Sequence, residues 1–155
     1  MGSRHAGPPA EVAALNACLK LQRAADALSA RIHVWLPSEL TITQFAVLEA
    51  LHHLGPLCQG ELAEKLLKSG GNLTMVVNNL EKAGLVKRER DRSDRRFVQV
   101  RLTPSGETLI AELYPRIAQR VIAELSRLTP AEQAELDRLC KKVGLPASSV
   151  SNPAA

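Results

Sequence analysis

Between Asn72 and Arg101 the chain carries two kinds of side chain that suit one task. Asn72, Asn78 and Asn79 fall on one face of a predicted helix, with Met75 and Lys82 beside them. An exposed row of amides can hydrogen-bond base edges in a major groove, adenine being the usual partner. Lys87–Arg96, KRERDRSDRR, follows at once. From Lys82 to Arg101 eight basic residues stand against three acidic ones, a local excess of five, whereas the whole chain carries only +4. Positive charge is therefore concentrated on one segment, the footprint of a surface that neutralises phosphate. Taken singly, each feature is also what a solvated face looks like. Their adjacency favours duplex DNA.

These side chains need elements to hold them. Leu73, Val76, Val77 and Leu80 recur at helical spacing and give the asparagine helix, about Gly71–Ala83, a buried face. Ser69 suits its N-cap, and Gly84 stands where a glycine ends a helix. A shorter helix from Cys58 to about Leu67, with Glu61 at its third position, precedes it across a Ser-Gly-Gly turn. Leu85-Val86 opens one strand and Phe97–Leu102 forms another, so the charged segment becomes the tip of a β-hairpin. Thr41-x-x-Gln44 is a capping box opening a helix to about Leu54, with Phe45, Leu48 and Leu51 inward and Gly55-Pro56 as its stop.

Long helices flank this unit. One runs from about Ala10 to Val34 with a stripe of Val12, Leu15, Leu19, Ala25, Leu28 and Ile32, and Pro37 blocks its extension. Thr103-Pro104 starts another, to about Arg127, and Thr129-Pro130-Ala131-Glu132 starts a last one to about Val143, with Leu136 and Leu139 inward and Cys140 in the core. Such helices carry more apolar surface than a monomer needs, which calls for a partner helix.

The order Ser-Gly-Gly-Asn-Leu-Thr (69–74), Leu-Glu-Lys-x-Gly-Leu-Val (80–86), Asp94-x-Arg96 and Val-x-Leu-Thr-x-x-Gly (100–106) resembles the MarR family of winged helix-turn-helix regulators, from about Ala10 to Leu145. The resemblance implies a mainly α fold with a small β-hairpin. Residues 1–9 become a disordered tail, 10–40 a dimerisation helix, 41–103 the winged helix-turn-helix, 104–145 C-terminal dimerisation helices and 146–155 a second disordered tail. It also implies a homodimer on a pseudo-palindromic operator, usually a repressor, released by a small phenolic or aromatic effector. Asn72, Thr74, Met75, Asn78 and Asn79 would enter the major groove. Met75 stands where many relatives have Arg, so a thymine methyl replaces guanine as its natural target. Arg96 would enter the minor groove with Asp94 orienting it. Arg92 and Arg95 would touch phosphate, with Lys68, Ser69, Lys82 and Arg88 as further contacts.

For the effector the candidates are Arg31, His33, Trp35, Phe45, His52 and Tyr114, against ordinary core or surface roles for each. A thiol switch at Cys18 or Cys58 is the alternative. Cys18 lies where peroxide-sensing members of the family carry their cysteine, but the accompanying tyrosines are missing. Cys58 lies at a helix N-terminus, where thiolate is favoured. A winged helix that binds another protein is the rival of a different class, and the charged hairpin argues against it.

Composition bounds the rest. A chain of 155 residues at 45% apolar content can build one core. Aromatic content of 3% argues against stacking on single strands. No apolar run approaches the ~18–20 residues of a membrane span, and the first residues lack a signal peptide's apolar stretch. Three cysteines make no disulfide framework and fit a reducing cytoplasm. Neither a metal-ligand cluster, a phosphate loop nor a nucleophile elbow is present, so the reading is non-enzymatic and without cofactor.

Overall fold

The computed structural model describes residues 2, 4–66, 70–90 and 98–144. The chain divides into two compact units, Met1–Ile117 and Ala118–Ala155.

In the first unit, α1 (Pro9–Trp35) starts with proline at its first position. It stops where Leu36, held extended at ψ 151° ahead of Pro37, cannot continue it. Helix α2 (Ile42–Leu54) has the expected capping box: Thr41 N–H donates to Gln44 Oε1 at 2.8 Å, and Gln44 N–H donates to Thr41 Oγ1 at 3.2 Å. Gly55, at φ 79°, ends it. Helix α3 (Gln59–Lys65) begins after Cys58, whose N–H donates to the Glu61 carboxylate at 2.7 Å. Helix α4 (Gly70–Lys82) buries Leu73, Val77 and Leu80. It closes in a Schellman turn: Leu85 N–H donates to Leu80 O and Gly84 N–H to Glu81 O, both at 3.0 Å, with Gly84 at φ 71°.

Strands β2 (Val86–Arg90) and β3 (Val98–Leu102) pair antiparallel, Val86 opposite Leu102 and Arg90 opposite Val98. A third strand, β1 (Leu57–Cys58), joins the other edge of β3, placing Leu57 opposite Val100. The sheet is therefore three-stranded, β1-β3-β2, rather than a bare hairpin. Two residues are too few to display an alternating pattern, which is why the sequence hid this strand.

The core lies between α2, α3, α4, the sheet and the start of α5 (Pro104–Leu125), where Val47, Leu48, Leu62, Leu73, Leu80 and Ile110 are fully enclosed. Burying each such leucine contributes roughly 1.5–3 kcal/mol. Phe45 belongs to this core at 7% exposure. Thr103 caps α5 and ties it to the α4–β2 connection: its hydroxyl donates to Gly84 O at 2.6 Å and accepts from Gly106 N–H at 3.1 Å. Pro115 sits inside α5 and removes one rung of its ladder, a feature its apolar spacing does not announce.

In the second unit, α6 (Pro130–Gly144) opens with a capping box between Thr129 and Glu132, with Thr129 N–H donating to the carboxylate at 2.8 Å. The amide of Gln133 donates to Leu125 O at 3.0 Å and Leu128 O at 3.2 Å, pinning the turn between α5 and α6. Here an expectation fails: Leu136 and Leu139, assigned inward, are 39% and 43% exposed, and Cys140, assigned to the core, is exposed too. Among the described residues helix α6 buries none of its side chains.

Candidate nucleic-acid interface

Helix α4 turns its apolar side to the core and leaves Asn72, Met75, Asn78, Asn79 and Lys82 exposed, as the spacing required. Asn72, Met75 and Asn79 share a cleft with Thr41, Thr43 and Gln44 at the start of α2. The capping box of α2 thus borders the exposed face of α4.

Thr74 behaves differently from its neighbours. Its hydroxyl donates to Gly70 O at 2.9 Å and accepts from the Gln59 side-chain amide. That hydroxyl is occupied in joining α3 to α4. Gln59, which sequence reasoning passed over, therefore sets the relation between the two helices of the motif; a polar residue in the first turn of a helix gives no signal of such a partner.

The hairpin's charge is also partly consumed within the protein. Glu89 takes both Lys87, at 2.5 Å, and Arg101, at 3.3 Å. Arg88, expected to face phosphate, is instead held by Glu81: its backbone N–H donates to Glu81 Oε1 at 3.0 Å, and its guanidinium pairs with Oε2. The guanidinium also donates to Asn78 Oδ1 at 2.7 Å. Lys82 and Arg90 stay exposed. Lys68, Ser69, Arg92, Asp94, Arg95 and Arg96 lie outside the described residues.

The effector candidates do not converge as a set. Phe45 is buried; Arg31 and Trp35 are half-buried on α1, and His33 is exposed. His52 Nδ1 lies 2.7 Å from Glu107 Oε1, in a cleft shared with Arg101 and Pro56. His53 meets Tyr114 edge-on, with ring centres 4.5 Å apart. The rings of the adjacent His52 and His53 have centres 5.0 Å apart. Cys18 is exposed on α1, while Cys58 is half-buried at the start of α3, and both are free thiols. The backbone N–H of Cys58, and then its thiol, hold the Glu61 carboxyl below its ordinary range. Among the described residues no three His, Cys, Asp or Glu side chains gather as a metal site, and no helix is long and apolar enough to cross a membrane.

A sequence model of the MarR family matches residues 40–98, from the residue before the α2 cap into β3. The HTH-type transcriptional regulator YkoM of Bacillus subtilis, itself uncharacterised, is 40% identical over 103 residues, covering 66% of this chain and 67% of that protein. The chain belongs to the MarR family. As a MarR-family protein it is a DNA-binding transcriptional regulator, and not an enzyme. Two solved MarR-like structures resemble it closely. BpsR of Bordetella bronchiseptica, whose DNA binding is regulated by 6-hydroxynicotinic acid, matches with TM-score 0.74 and 28% identity, over 83% of this chain and 98% of that one. PcaV of Streptomyces coelicolor, solved with its natural ligand, matches with TM-score 0.70 and 29% identity, over 90% of this chain and 96% of that one.

Proposed function

We propose that this MarR-family regulator works in the cytoplasm as a homodimeric repressor. It reads a pseudo-palindromic duplex and is released by a small aromatic or phenolic acid. The observation that carries the dimer is the unused apolar surface of the terminal helices. Neither α1, of 27 residues, nor α6, of 15, buries a single side chain, yet Leu15, Leu21, Leu136, Leu139 and Val143 stand on them. Residues 10–40 and 104–145 therefore serve dimerisation, and 41–103 DNA binding. A two-fold dimer sets two α4 helices about one duplex turn apart, ~34 Å, matching the symmetry of an inverted repeat.

On the duplex, Asn72, Met75, Asn78 and Asn79 line the major groove, with Lys82 on phosphate. Thr74 and Ser69 support the entry of α4. Lys68, Arg92 and Arg95 contact phosphate, and Arg96, oriented by Asp94, enters the minor groove. Release by a ligand is supported by what BpsR and PcaV are described as binding. Cys58 is half-buried and caps α3 through its backbone N–H on Glu61, a structural role that favours ligand over thiol sensing.

The test is a mobility shift on the DNA upstream of the protein's own coding sequence, run with light scattering of the free protein. A dimeric complex that small aromatic acids dissociate is expected. A monomer in solution, or a complex indifferent to every such acid but broken by peroxide, would overturn the corresponding part.

A further inference from the structure

Asn78 is exposed on α4, yet its amide is not free to turn. Arg88 Nη2 donates to its Oδ1 at 2.7 Å. Arginine carries donors only, so the amide must give it the oxygen, and the assignment of the two amide ends follows from chemistry alone. The guanidinium is itself anchored. Its other nitrogen pairs with Glu81, whose carboxylate also accepts the Arg88 backbone N–H at 3.0 Å. With a side chain only 24% exposed, Arg88 forms a rigid strut from β2 to α4.

We infer that Asn78, fixed in polarity by Arg88, reads hydrogen-bond acceptors on the base edge and so selects guanine rather than adenine. Among the described residues nothing accepts from Asn78 Nδ2. That group offers two hydrogens, and the neighbouring guanidinium adds only further donors. An amide that reads adenine donates to N7 while its oxygen accepts from N6; here one lone pair of that oxygen already accepts from a cationic donor, which weakens the other as an acceptor and disfavours the adenine pairing. Guanine shows two acceptors in the major groove, N7 and O6, which donors alone can satisfy. Arg88 is then a positioning residue: it acts on sequence choice through the orientation of Asn78. The inference rests on the reading of α4 as the element in the major groove.

The experiment is selection of duplexes from a random-sequence library by the full-length protein and its variants. The wild type is expected to enrich a motif with one guanine per half-site that depends on position 78. Asn78→Ala should lose discrimination at that position alone, by about tenfold, the worth of one good base contact. Asn78→Asp keeps an oxygen for Arg88 but turns an acceptor to the groove, so the preference should move to cytosine, whose N4 donates. Arg88→Met removes the donors and lets the amide rotate, so adenine should become tolerated there while the rest of the motif stands. Partial unfolding would weaken all sequences alike and could not produce such a change. An unchanged motif in Asn78→Ala, or an adenine at the affected position in the wild type, overturns this inference. A wild type that enriches no sequence overturns the major-groove reading itself.

Discussion

A Cβ on Gly106 would stand 2.0 Å from the carbonyl oxygen of Leu85. The first turn of α5 thus lies directly on the chain entering β2. Thr103 N–H donates to that same Leu85 oxygen at 3.1 Å, so the contact is fixed from both sides. No flexible side chain can yield here, because the obstacle is backbone.

Gly106→Ala should therefore destabilise the protein by about 1–3 kcal/mol, the usual cost of forcing a methyl into filled space. Alanine's better helix propensity does not rescue it. The check is a lowered denaturant midpoint at unchanged slope. A midpoint equal to that of the wild type would mean that α5 and β2 can separate freely.

Charge on the hairpin should be readable through salt. Arg96→Ala should weaken operator binding by about 1–3 kcal/mol. Lys82→Ala should instead weaken binding to all sequences evenly and reduce the slope of log affinity against log salt by about one. Titrations at several salt concentrations separate the two. An Arg96→Ala complex as tight as the wild type would remove the wing from recognition.

Disrupting the apolar stripe of α6 should dissociate the protein without unfolding it. Leu136→Glu and Leu139→Lys alter apolar residues that are exposed among the described residues. Light scattering should report a monomer with unchanged helical content, and operator binding should fall steeply, because each half-site contact loses its tethered twin. A variant that remains dimeric would place the interface elsewhere.

Acid should act on the helix caps. The backbone N–H of Cys58, then its thiol, lowers Glu61; the backbone N–H of Thr129, then its hydroxyl, lowers Glu132. In the folded state these carboxyls release their protons more readily than in the unfolded chain. Their contribution is complete above the ordinary value of 4.5 and is lost as pH falls through the depressed folded values. Glu61→Gln and Glu132→Gln keep a side-chain acceptor for the cap but no titrating group. Together they should make the acid limb of stability against pH shallower. An acid limb as steep as the wild type's would assign it to other carboxyls.

The sequence displayed whatever was encoded locally. Thr41 with Gln44, Thr129 with Glu132, and Gly84 after Lys82 each state a helix end within a few residues, and each takes the expected form. The exposed asparagines followed from the period of Leu73, Val77 and Leu80. Contacts between distant segments were hidden. Glu81 meets Arg88, Gln59 meets Thr74, and β1 meets β3 only once the chain has turned back on itself. The burial of Phe45 against the exposure of Leu136 shows the same limit. Periodicity tells which side of a helix is apolar, not whether the same chain covers it.

The carboxylates of Glu81 and Glu89 have a further effect on how the regulator searches. Lys87, Arg88 and Arg101 are claimed by them before any nucleic acid arrives. Fewer counterions are then shed on arbitrary duplex than a tally of lysines and arginines would suggest. Bulk chromosome becomes a weaker trap, and a larger share of the protein is left to find its operator.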